Sequence, residues 1–344
     1  MKKALASRKS GPPYASRNVF VSSLFVPPRG GEMEFFMNGI IVADKSSGCT
    51  SFDVVAVMRR LSGQRKIGHT GTLDPMATGV LPLLLGCATR AAALLEDTDK
   101  EYEAGFRLGF STDTQDSTGK VTARSEEKAD RLQMEEILGR FRGEILQTPP
   151  MYSAVSVHGE RLYKLARQGI EVEREKRPVC IARLELTGFD GETQEGKLFI
   201  RCSKGTYIRT LCADIGEALG TYGVMTSLRR TRAAGFTLAD AVTMDAAREL
   251  SAQGRLEERL LPVETLFRSY PGLTVTDPQA RRFSNGGALD LERTSMRGRL
   301  RKDGSVFRVR SQGGKFLGLG TVCAEKNELR VLRLFPEEPP EKRF

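Results

Sequence analysis

The segment GHTGTLDPMATGVL, residues 68–81, constrains this chain more than any other stretch. It crowds three glycines, three threonines, a proline, a histidine and one acid ahead of the apolar run VLPLLLG. Val80 to Leu85 reads as a buried strand or a short helix. Gly68, Gly71 and Gly79 permit positive φ or close backbone approach. Pro75 fixes its own φ and biases Asp74 away from the helical region. Asp74 is therefore expected on a constrained loop that runs into the core, which is how a scaffold presents one functional side chain. An aspartate before proline is equally an Asx-turn former, so the loop by itself leaves both readings open.

Periodicity places the neighbouring elements. Gly39 to Asp44 reads as a short strand and residues 46–51 as a turn, with Ser51 capping a helix whose apolar positions are Val54, Val57, Met58 and Leu61. KEYEAGFRLGF (100–110) alternates and reads as a strand. Residues 111–121 read as a polar loop, and 129–145 as a helix with Leu132, Ile137, Leu138 and Phe141 at helical spacing. The segment 148–169 starts extended and turns helical and basic around Arg161 to Arg167. RPVCIARLELTGF and GKLFIRCSKG read as antiparallel strands. TYIRTLCADIGEALG (206–220) reads as a helix closed by Gly220 as its C′ glycine. After FRSYPG (267–272), a short capped helix and three short strands make a β-rich module of a size that suits a small domain.

The functional candidates follow from charge and residue type. The 344 residues carry a net charge of +10, which favours a polyanionic partner, nucleic acid first and an anionic membrane surface second. Two histidines, His69 and His158, and six cysteines without a C-x-x-C pair argue against a metal hydrolase and fit reduced thiols. A Ser-His-Asp hydrolase would need a G-x-S-x-G elbow, which the sequence lacks. His69 thus reads as a stacking or positioning group. KGTYIRT (204–210) gathers Lys204, Tyr207 and Arg209 at a strand-to-helix turn. Arg209 could pair with a carboxylate and hold it ionised. Tyr102, Ala104 and Phe106 share one strand face, either as core or as an aromatic face for a base. RLYKLARQG and SLRRTRAAG (227–235) supply clustered cations suited to phosphate. A glycosidase would want two carboxylates flanking the bond, and the motif holds one.

Taken together, GIIVADKSSGCTS, GHTGTLDPMATGVLPLLLGCATR, KEYEAGFRLGFSTDTQDSTG, TPPMYSAVSVHGERLYKLARQG and KGTYIRTLCADIG resemble the TruB family of tRNA pseudouridine synthases over residues 38 to 235. The C-terminal segment resembles a PUA-like RNA-binding module more weakly. The resemblance implies an α+β chain. Its core is a pseudouridine synthase fold, with a mixed, mostly antiparallel sheet flanked by helices. A small β-rich PUA-like domain follows. The implied order is a basic extension (1–36), a catalytic domain (37–270), the PUA-like domain (271–336) and a tail (337–344) expected to be disordered. It implies isomerisation of uridine 55 in the tRNA T loop, without cofactor or metal. The implied partner is the T-arm stem-loop of tRNA, for a cytoplasmic protein, a monomer with no membrane contact and no obligate protein partner. The family aspartate falls on Asp74, its arginine partner on Arg209 and the stacking tyrosine on Tyr102. The second tyrosine falls on Tyr207, the loop-wedging histidine on His69, the apolar pocket wall on Leu228 and the first-motif lysine on Lys45, the last also expected to contact substrate. One departure stands out. The family's K-P-x-G is Lys45-Ser46-Ser47-Gly48 here, and loss of the proline is expected to loosen that turn.

Overall fold

A computed structural model describes residues 36–336, apart from 96–98, 158 and 299–301. The expected N-terminal extension (bar Phe36), the C-terminal tail and His158 fall outside the described residues.

Ten strands form the main sheet. Its principal strands are β1 (Gly39–Lys45), β2 (Ile67–His69), β3 (Thr78–Leu85), β4 (Lys100–Leu108), β5 (Gly143–Gln147), β6 (Arg177–Asp190), β7 (Glu195–Cys202) and β8 (Gly223–Ala233). The order across the sheet is Val242–Thr243, β1, β3, β8, β4, β7, β6, β5, with β2 paired to β3 and Phe236–Thr237 to β8. Nearly every pairing is antiparallel, as expected. The two exceptions are β1 with Val242–Thr243 and β8 with β3. The second of these matters most. It rests on two register pairs, Arg229 with Thr78 and Arg230 with Gly79, and it joins the two halves of the sheet.

Helices α1 (Ser51–Leu61), α2 (Arg131–Leu138), α3 (Leu162–Arg167), α4 (Ile208–Ala218) and α5 (Met244–Ala252) accompany this sheet. Val54, Met58, Met134, Leu211 and Ile215 join Ile41, Leu81, Leu83, Tyr102 and Phe106 in one core. Ile40, Val42, Val80 and Leu84, the alternate residues of β1 and β3, join a second core with Phe267, Leu319 and Phe335. That alternation is what a strand buried on both faces requires.

Beyond residue 270 lie β9 (Gly272–Val275), α6 (Asp277–Ser284), β10 (Val306–Ser311), β11 (Phe316–Cys323) and β12 (Glu328–Leu334). They build a five-stranded sheet in the order β9, β10, β11, β12, Leu289–Asp290. It encloses its own core around Phe283, Leu291, Val309 and Leu329. Glu264 binds Arg308 and Arg310 of β10, and Phe267 packs against Phe316 and Phe335.

Four local expectations are corrected. Thr50, not Ser51, caps α1, in a capping box with Asp53; the Ser51 hydroxyl is occupied elsewhere. Residues 129–145 do not form one helix. α2 ends at Leu138, a short 3-10 turn follows, and Gly143 at φ +81° starts strand β5. Within the polar loop at 111–121, Phe110–Thr112 pairs with Val121–Arg124. Nor does the turn after β1 come loose without its proline. The Gly48 amide donates to the Pro75 carbonyl at 2.9 Å and Gly48 itself takes φ +86°.

Gly79 shows how tightly the seam is built. It sits at φ +104°, and a Cβ there would lie 2.2 Å from the Arg230 carbonyl oxygen. Gly79→Ala should cost roughly 3 kcal/mol or more from strain plus displaced backbone. A urea titration in which this variant matches the parent would show that the seam yields.

Candidate active site

The loop 70–77 carries Asp74 and is held at nearly every residue. Ser51 Oγ donates to the Leu73 carbonyl and accepts from the Leu73 amide at 2.8 Å. Lys45 is 0% exposed, and its ammonium donates to the carbonyls of Ser46, Pro75 and Ala77, the last at 2.6 Å. Arg230, also 0% exposed, donates to the carbonyls of Val80, Thr72 and Gly71 at 2.7, 3.4 and 3.1 Å. Lys45 was expected to touch substrate. The structure instead spends all three of its donors on backbone, two of them on the loop. The expectation of phosphate-binding cations at 227–235 is likewise corrected. Arg229 pairs with Asp44 at 2.9 Å, Arg230 is buried, and Arg232 pairs with Glu101.

The carboxylate of Asp74 meets the guanidinium of Arg209, with Nε 2.9 Å from Oδ2 and Nη2 3.4 Å from Oδ1. The Arg209 side chain is 6% exposed and that of Asp74 is 35% exposed, so the acid keeps an open edge and its partner does not. Arg209 is itself anchored. It donates to the carbonyls of Tyr152 and Thr114 and lies 4.0 Å from Asp116. The Asp116 carboxylate is already satisfied by Thr114 and Thr118. A buried guanidinium needs such partners, because its desolvation is otherwise uncompensated.

Arg209 reaches the site through the first turn of α4, where Tyr207 is the N-cap residue. Gln147, 1% exposed, accepts from the Tyr207 amide with Oε1 and donates to the Tyr207 carbonyl with Nε2. This two-point grip fixes where α4 begins. Sequence reasoning missed Gln147, for nothing in EILQTPP marks a glutamine that bonds a residue 60 positions away.

Tyr102 and Arg230 are cross-strand partners, as are Ala104 and Leu228 in the next row of the same face. The positive charge of Arg230 acts on the Tyr102 phenol from the paired strand, and burial outweighs it. Burial pushes the Tyr102 phenol up to about 12. The ring is 6% exposed and belongs to the core, the first of the two readings that the strand alternation left open. Leu228 lines a cleft of about 670 Å³ with Met76 of the loop and Thr78, the first residue of β3. His69 lies on β2 opposite Leu83. Burial, and then the Arg230 charge, lower its pKa, so the imidazole is neutral at physiological pH. Its Nδ1 has no hydrogen-bond partner among the described residues.

The geometry thus joins Asp74 to Arg209, Tyr102 to Arg230 and Arg230 to the Asp74 loop. One carboxylate with an open edge, a fixed phenol and a neutral imidazole suit a reaction on an uncharged ring more than hydrolysis by paired acids. No helix among the described residues is long and apolar enough to cross a membrane.

Comparison with known proteins adds three findings. Residues 59–208 match the model "TruB family pseudouridylate synthase (N terminal domain)", and residues 209–268 match "tRNA pseudouridylate synthase B C-terminal domain". The chain is 45% identical over 284 residues to tRNA pseudouridine synthase B of Azoarcus sp. (strain BH72), covering 83% of this chain and 91% of that one. It is 41% identical over 305 residues to the synthase of the same name from Stutzerimonas stutzeri (strain A1501), covering 88% and 97%. Among solved structures, a chain of a Cbf5-Nop10-Gar1 complex superposes with a TM-score of 0.66 at 25% identity, covering 88% and 86%.

Two measurements test this geometry. Arg230→Met should lose about 3 kcal/mol or more in urea, because three buried carbonyls lose their donor; a loss within error would show that water replaces the guanidinium. Tyr102 gives a pH dependence. Its neutral form is favoured by the fold, so that stability is present below pH 10 and is lost as pH rises towards about 12. Over that window the wild type should lose stability relative to Tyr102→Phe, and parallel curves would contradict it.

Proposed function

The chain belongs to the TruB family of pseudouridylate synthases, and from that premise we propose that Asp74 is the acid that isomerises uridine 55 in the T loop of tRNA. In this reaction the C1′–N1 bond of the uridine breaks, the uracil turns within the site, and C1′ rejoins at C5. The C5 proton leaves and N1 gains one, so the product is an isomer of the substrate.

A base folded into an RNA loop must be extruded first, at roughly a few kcal/mol. Stacking returns roughly 1–3 kcal/mol per base. In our reading the uracil settles against Tyr102, with Leu228 as an apolar wall and the Tyr207 ring nearby. Neutral His69 takes the place that the base leaves in the T loop. Asp74 presents its open carboxylate edge to the nucleotide, while Arg209 fixes its orientation. The Tyr102 phenol, held protonated, is suited to relay the C5 proton. Lys45 and Arg230 act at one remove, by holding the loop. Positioning of this kind is worth much in catalysis, since a misplacement of about 1 Å can cost a hundredfold.

The observation that carries this reading is the 2.9 Å contact between Arg209 Nε and Asp74 Oδ2, made by residues 135 apart on a loop with almost no freedom of its own. The substrate is RNA, and the T-arm stem-loop taken up by a single protomer is its proposed form.

Tritium release from C5-labelled uridine in tRNA tests the proposal. The wild type should release tritium and Asp74→Asn should not, while both bind tRNA. A wild type that binds tRNA without release would leave an RNA-binding protein in place of an enzyme. Arg209→Ala should lower turnover far more than tRNA affinity; equal losses would show that Arg209 serves binding instead.

A further inference from the structure

Lys100 opens β4 in a setting that the reaction above does not use. Its ammonium and Arg230 Nη1 flank the α-carbon of Gly71. A Cβ built on Gly71 would lie 3.6 Å from Lys100 Nζ and 3.7 Å from Arg230 Nη1. Lys100 is largely buried, yet it makes no hydrogen bond or ion pair among the described residues. The acids beside it in the chain are occupied, Glu101 by Arg232 and Asp99 by Arg201, and Asp74 of the loop is held by Arg209. The charges around it are like charges. Burial lowers the Lys100 pKa most, with Arg230 and then Lys204 lowering it further. Its cross-strand partner Cys202 has its thiol pushed up to about 11 by burial and supplies no counter-charge at neutral pH.

A partly buried ammonium beside a guanidinium, with no anion, is an unbalanced arrangement. It is balanced when an anion arrives. Gly71 presents no side chain to either cation. The location identifies the anion. Lys100 and Tyr102 lie two residues apart on one face of β4, about 7 Å along the strand. Gly71 lies three residues before Asp74 in the same loop.

We propose that Lys100, beside Gly71 and Arg230, seats one phosphodiester of the substrate RNA next to the extruded nucleotide. The proposal rests on the reading that the substrate is RNA. The contact is a charge-assisted hydrogen bond from Nζ to a phosphate oxygen. It lets the backbone be gripped while the base is turned, since the phosphate stays put when the glycosidic bond breaks.

The test measures tRNA affinity against salt in an Asp74→Asn background, so that turnover does not intrude. Lys100→Gln should reduce the slope of log K against log salt by about 0.7–0.9, the loss of one phosphate contact. Affinity should fall about tenfold at moderate salt. Lys100→Arg should keep the slope. An unchanged slope in Lys100→Gln overturns the proposal, whatever happens to affinity or melting temperature. Should Lys100→Gln fail to fold, Gly71→Ala decides. Its methyl group would sit at ordinary contact distance from Lys100, so the fold accepts it. Weakened tRNA binding at an unchanged melting temperature then supports the seat, and unchanged binding overturns it. The function reading fails differently, by absence of tritium release from the wild type, and the slope still decides the seat.

Discussion

Three buried cations hold one loop, and the site depends on them. Lys45 comes from β1, Arg209 from α4 and Arg230 from β8, and between them they bind Gly71, Thr72, Asp74, Pro75, Ala77 and Val80. Taking a cation out of water is costly, and carbonyl lone pairs are the usual means of offsetting it. A loop rich in glycine and threonine has carbonyls to spare, because it forms no regular ladder of its own. The cations and the loop thus satisfy each other. Removing either leaves buried polar groups unmatched, which makes the arrangement stable only as a whole.

This explains how a mobile type of sequence yields a fixed acid. Asp74 has one edge bound by a guanidinium that cannot move, since Tyr152, Thr114 and Asp116 surround it. Its other edge is open. Tyr102 is buried in the core on the adjoining strand, as the register partner of the same Arg230 that grips the loop. The acid and the phenol therefore share one anchor, and their separation is set by the fold rather than by local flexibility.

Much of this was legible in the sequence, and the reasons for the rest are physical. The strand β4 follows from alternation, and β6, β7 and β11 were also legible as strands. Gly220 follows the end of α4 in the left-handed region, at φ +74°, as its position predicts. The Asp74–Arg209 contact follows from family resemblance; spacing cannot place groups 135 residues apart. The fate of the cations was misread for a related reason. A run such as SLRRTRAAG looks solvent-facing, but in a strand its members alternate, so Arg230 enters the interior while Arg229 points to Asp44. Ser51 was misread because Thr50 and Ser51 are chemically equivalent caps, and only the packing of Leu73 against the helix start decides between them. The helix expected through residue 145 stopped early because Gly143 and the edge of β6 draw that segment into the sheet.

The seam between β3 and β8 has a mechanical consequence. The two halves of the main sheet are stitched there by two register pairs, whereas β8 and β4 are paired along nine. Arg230 is one of the stitched residues, and its side chain crosses the join to hold the loop from the far half. Any partner that levers the halves apart must therefore stretch the same bonds that aim the acid. Spreading and aim are one coordinate in this molecule, and a nucleic acid that fits without prising the sheet leaves the carboxylate trained on its target.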